Sequence, residues 1–219
     1  AAMLRGIIVV VVLAVISGVW LIIEGFSSRD AMQTNSVTLL LVFAVLGIGA
    51  ITAAIRYTVG KNPYGYKAMG DLFVFLFFGL VGVIGTYFLH AFDVRLSLLL
   101  PASAIGFLSV GVLNLNNLRD YETDKKTGKR TLVVALGLPK ARLYHAFLLF
   151  GAFLTVTVFT LLEYQSYWQW IYWAAFPLIF KNLKAVFTFK EHIQLFPELK
   201  RLSLASLLFA VLFALGLIS

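Results

Sequence analysis

Apolar residues fill this chain in seven blocks of roughly twenty, at about 4–23, 37–55, 72–91, 98–116, 143–163, 168–187 and 202–219. About twenty apolar residues in a helix cross the hydrocarbon core of a bilayer, so each block predicts a spanning helix. The fold class that follows is all-α: a polytopic membrane helical bundle of seven transmembrane helices in one domain. Lys181 and Lys184 fall near the end of the sixth block, where long side chains can reach toward the headgroups. The first block, MLRGIIVVVVLAVISGVWLIIEGF, exceeds the apolar region of a signal peptide and ends in no small-residue cleavage pattern, so it reads as a spanning helix. Lys190 to Arg201 reads as an interfacial segment interrupted at Pro197, and His90 and His145, near helix ends, as interfacial rather than catalytic.

Charge orients the bundle. With alternate loops assigned to alternate sides, sixteen of the eighteen Lys and Arg fall on one side, leaving only Arg29 and Arg95 on the other. The positive-inside rule then predicts cytoplasmic loops at 56–71 and 117–142. Composition agrees: 61% of the 219 residues are hydrophobic and 13% charged, against about 25% charged in soluble domains. In so apolar a chain the net charge of +8 reports topology and anionic lipid, so the expected partner is the bilayer and no nucleic acid is expected. Cysteine is absent, which excludes disulfides, thiolate nucleophiles and zinc–thiolate sites.

The densest charge lies in NLNNLRDYETDKKTGKRTLVVALG, Asn114 to Gly137. Asp120 and Asp124 are four residues apart and share a helix face, with Asn116 a turn earlier and Asn117 and Arg119 beside it. Like charges at this spacing repel, and a divalent cation between them would remove the conflict. Lys125, Lys126, Lys129 and Arg130 gather around Gly128, where a turn is expected. Oxygen ligands followed by cations suit a metal–diphosphate. A solvated basic loop at the membrane surface accounts for the same residues equally well.

A second polar stretch, RYTVGKNPYGYKAMGDLFVFLFFG from Arg56 to Gly79, combines Arg56, Lys61 and Lys67 with Tyr57, Tyr64 and Tyr66 and four chain-breaking residues. An interfacial aromatic belt explains the tyrosines and lysines. Asp71, directly before an apolar helix, suits either a helix N-terminus or a site.

The full string from Asn116 through Asp120, Asp124, Gly128, Lys129, Thr131 and Leu132 to Gly137 resembles the second aspartate-rich motif of the intramembrane aromatic prenyltransferases, the UbiA superfamily, and within it the branch acting on 1,4-dihydroxy-2-naphthoate. The string YTVGxxPYGYxxxGD resembles a loop of the same branch. The resemblance implies transfer of a polyprenyl group from a polyprenyl diphosphate to an aromatic acid, with loss of the ring carboxyl on the way to a demethylmenaquinone, in a bacterial inner membrane with the site loops cytoplasmic. It implies Mg2+ held by Asp120 and Asp124, and positioning by Asn116 or Asn117. Diphosphate contacts would come from Arg119, Lys125, Lys129, Arg130, Arg56, Lys61, Tyr64 and Lys67, with Asp71 joining Asp120 and Asp124 as a catalytic residue. The chain matches the third to ninth helices of that superfamily and shows no first aspartate-rich motif, so it is expected to lack an N-terminal hairpin and not to catalyse alone. Rival readings are another acceptor, such as 4-hydroxybenzoate or homogentisate, and a non-catalytic membrane carrier or interaction protein.

Overall fold

The computed structural model describes residues 2–27, 36–58 and 63–219. Helices α1 (Ala2–Phe26) and α2 (Ser36–Thr58) form the first two passes. The third is composite: α3 (Gly70–Val74), a π-helical stretch over Phe75–Val81, and α4 (Gly82–Ala91). Then come α5 (Leu99–Arg119), the short α6 (Tyr121–Lys126) and α7 (Leu132–Leu136), and the long α8 (Leu138–Leu162). A 3-10 segment, Tyr167–Ala175, leads into α9 (Phe176–Thr188), and α10 (Phe196–Ile218) closes the chain. Among the described residues there is no strand, only an isolated parallel bridge between Lys67 and Arg130.

Helix α5 is the spine, packed against the third pass, α8 and α10. Its crossing with the third pass is made by two glycines. A Cβ on Gly79 would lie 2.6 Å from the Gly106 Cα, so any side chain there would force the helices apart. Small residues serve this purpose in membranes, where lipid is as apolar as the helix face and close packing must supply the attraction. The core lies on the other side of α5, where Phe153 meets Tyr172, Phe176 and Phe209 edge-on or tilted.

Six helical passes among the described residues are long and apolar enough to cross a membrane, and Tyr167–Thr188 is not among them. This segment nevertheless runs the length of the bundle, as the sixth apolar block predicts. Its start lies against the end of α10, where a Cβ on Gly216 would sit 2.6 Å from the Trp168 carbonyl oxygen. At its far end His192 reaches the Leu118 carbonyl at the end of α5. Its buried polar side chains are satisfied within the protein. Gln169 accepts from the Gln165 N–H at 2.7 Å and donates to the Glu163 carbonyl at 3.2 Å. Asn182 joins His145 at 3.0 Å and donates to Glu198 at 3.2 Å.

Two expectations are corrected here. His145 is fully buried between α8 and α9 rather than interfacial, because Asn182 gives its ring a partner in the core. Pro197 starts α10 instead of interrupting a surface segment, since a first-turn proline gives up an N–H that has no helical partner. The last pass therefore begins six residues before the expected 202.

Candidate active site

The two polar stretches meet at one end of the bundle. The Lys67–Arg130 bridge joins their backbones, so loops more than sixty residues apart form one rim. Lys61 lies outside the described residues, and Arg56, Lys67 and Arg130 are exposed on or near this rim.

The carboxylates sit where α5 breaks. Asp120 leaves helical geometry (φ −91°, ψ 6°) and α6 begins at Tyr121, so the pair does not share one uninterrupted helix as expected. The one-turn relation survives, because the Asp124 N–H donates to the Asp120 carbonyl at 2.8 Å. The turn expected at Gly128 is present. Gly128 takes φ +75°, a conformation open to glycine, and the Lys129 N–H closes back on the Asp124 carbonyl at 2.9 Å.

Each carboxylate is matched to a cation. Arg119 donates to both oxygens of Asp120, Nε to Oδ1 and Nη2 to Oδ2 at 2.7 Å each, and Nη2 also reaches the Asn116 oxygen at 2.9 Å. Lys129 Nζ lies 3.3 Å from Asp124 Oδ2. Burial pushes the Asp124 carboxyl above the usual carboxylate range, with Lys129 pulling it down and Asp120 adding to the rise. Lys125 is exposed, with its ammonium 5.9 Å from the Tyr121 ring centroid. Thus Arg119 and Lys129, expected as free phosphate ligands, hold the aspartates.

Asn116 also lines an apolar groove of about 470 Å3 between the third pass, α5 and α10, together with Phe78, Leu113 and Ser203. The polar end of the site and a membrane-level groove therefore meet at one side chain. Asn117 is buried with its Oδ1 unpartnered, and Asn114, which the motif reading left without a role, is buried with both amide atoms unpartnered.

Asp71 lies in the first turn of α3, as its place before an apolar block suggested, but inside the protein at 6% exposure. The Tyr144 hydroxyl of α8 is within hydrogen-bonding reach of its carboxylate. Tyr64 donates to the Ala53 carbonyl at 2.7 Å and stacks on Phe73 at 4.1 Å. Three residues near the site were not singled out from sequence. Tyr144 lies in an apolar block with no motif around it. Tyr57 was counted only as an interfacial ring. His192 donates its Nδ1–H to the Leu118 carbonyl at 2.6 Å and stacks on Tyr121, bracing the α5–α6 break.

The donor set fits a hard cation. Its atoms are carboxylate and amide oxygens, and no group of three or more His, Cys, Asp or Glu suited to a metal occurs among the described residues. Two carboxylates leave coordination positions for water and phosphate oxygens, which is how Mg2+ is commonly bound.

The model of the UbiA prenyltransferase family matches residues 3–192. A 1,4-dihydroxy-2-naphthoate octaprenyltransferase of Escherichia coli is 40% identical over 215 residues, covering 98% of this chain and 67% of that protein. Its namesake from Haemophilus influenzae is 42% identical over 213 residues, covering 97% and 67%. The human UbiA prenyltransferase domain-containing protein 1 is 27% identical over 115 residues, 52% of this chain and 34% of that one. No solved structure matches. The chain spans about two thirds of the length of these two bacterial relatives.

Proposed function

Because the chain belongs to the UbiA prenyltransferase family, we propose that it transfers a polyprenyl group from its diphosphate to 1,4-dihydroxy-2-naphthoate within the bilayer. The observation that supports this most directly is the junction at Asn116, where a charged rim opens onto an apolar groove. A polyprenyl diphosphate has the same division, an anionic head on a long hydrocarbon. The tail is accommodated most cheaply beside helices in lipid, and the head needs cations.

Asp120 and Asp124 would hold the metal, and Mg2+ is the ion that suits them. When bound, that ion neutralises charge growing on the departing diphosphate. Arg119 and Lys129 keep both carboxylates oriented in its absence and are placed to exchange a carboxylate for a phosphate oxygen as substrate enters. Lys67 and Arg130 add charge at the rim. Fixed cations of this kind act where charge develops and need little reorganisation.

The test is a competition in membranes. One polyprenyl diphosphate is offered with equal dihydroxynaphthoate and 4-hydroxybenzoate, and the prenylated naphthalene product is expected to dominate. A product formed mainly from hydroxybenzoate would refute the acceptor assignment.

A further inference from the structure

Resting on the prenyltransferase reading, we propose that Asp71, positioned by Tyr144, receives the hydroxyl of the aromatic acceptor, so that acceptor and metal–diphosphate occupy opposite sides of the site. The three aspartates at this end of the bundle differ in one respect. Asp120 and Asp124 each pair with a cation, whereas Asp71 takes part in no ion pair among the described residues. Its Oδ2 is buried with no hydrogen-bond partner among the described residues. A buried, unmatched carboxylate oxygen is costly and calls for a donor from a ligand. A diphosphate cannot supply one, and its charge would be repelled. An aromatic hydroxyl can.

The surroundings of Asp71 are aromatic. Tyr57 packs against Gly70, the residue before Asp71. Its ring is seated by two glycines. A Cβ on Gly65 would stand 2.7 Å from the Tyr57 carbonyl oxygen and 3.0 Å from its Cε2, and a Cβ on Gly70 3.1 Å from the same Cε2. Tyr64 meets Tyr57 edge-on at 5.5 Å and continues the aromatic wall to Phe73. The glycines of the PYGYxxxGD string thus make room for a phenol ring beside Asp71.

The chemistry balances. As a ring carbon of the acceptor bonds to the allylic carbon, the allylic C–O bond breaks and its electron pair leaves on the diphosphate. The acceptor O–H bond breaks in the same stage, its pair forming a ring carbonyl and its proton passing to Asp71 Oδ2. Asp71 touches the reacting molecule. Tyr144 acts through Asp71, orienting its carboxylate.

The experiment uses the full-length enzyme in membranes, with acceptor, diphosphate and Mg2+ varied separately. Asp71→Asn is expected to lower kcat/KM for dihydroxynaphthoate about a hundredfold and Tyr144→Phe about tenfold, the range of a charge-assisted hydrogen bond. The diphosphate KM and the Mg2+ midpoint should move less than about twofold in both. Acceptor binding, followed by the fluorescence of the naphthoate, should weaken in Asp71→Asn, while an analogue with methylated hydroxyls should bind wild type and variant alike. A shift in Mg2+ requirement or diphosphate KM would assign Asp71 to the metal and overturn the proposal, as would wild-type acceptor kinetics in both variants. A wild type that prenylates only hydroxybenzoate refutes the acceptor named above instead. The same variants are then read on hydroxybenzoate, whose hydroxyl makes the same demand.

Discussion

At the scale of single residues, lysines that look alike in the sequence have unlike places. Lys129 is drawn in over Asp124, while Lys125 is exposed over the Tyr121 ring. Lys129→Ala should therefore raise the diphosphate KM roughly tenfold or more, since charge-assisted contacts are worth about 1.5–3 kcal/mol. Lys125→Ala should change it less than about threefold, as expected of a lysine with a weak surface contact. Steady-state kinetics on the two variants decides this, and equal effects would mean that the rim acts through net charge rather than geometry. Asp120→Asn and Asp124→Asn should each remove turnover while membrane insertion, followed by fractionation, stays intact.

At the scale of elements, the site depends on a helix that stops in the right place and a crossing that stays close. The α5 break is braced by His192 on the Leu118 carbonyl and by Arg119 over the Phe196 ring at 5.4 Å, both contacts tying α5 to the start of the last pass. The Gly79–Gly106 crossing sets the distance between α5 and the third pass, and so the width of the groove below Asn116. Gly79→Val should cost about 1–3 kcal/mol through overpacking and lower the melting temperature in detergent. Gly47→Ala, with nothing within 4 Å of its added Cβ, is the control and should melt like the wild type. A Gly79→Val protein that melts with the control would show that the crossing has slack.

At the scale of the whole molecule, orientation is the property to test. The motif loops share one end of the bundle, and Arg95 lies at the other beside Glu163. The chain has no cysteine, so single Lys126→Cys and Arg95→Cys substitutions report without background. An impermeant maleimide should label Arg95→Cys in cells with only the outer membrane opened, and Lys126→Cys only after the inner membrane is broken. The reverse pattern would contradict the positive-inside assignment.

Periodicity, charge and motif each speak through neighbours along the chain, and what they determine is local. The apolar blocks placed the passes, the Lys and Arg count grouped the loops, and Asp120, Asp124 and Gly128 were legible because a helix turn and a chain reversal are made by adjacent residues. Even the polar sixth pass was found from its apolar share, although only Gln169 and Asn182 finding partners on other segments lets it lie within the bundle. What lies between distant segments was closed to the sequence. Nothing near Tyr144 points to Asp71, nothing near His192 points to Leu118, and nothing in two loops predicts that Lys67 and Arg130 will pair. Those contacts depend on how helices cross, and the crossings are decided by packing at positions such as Gly79 and Gly106, which in the sequence are two glycines among seventeen.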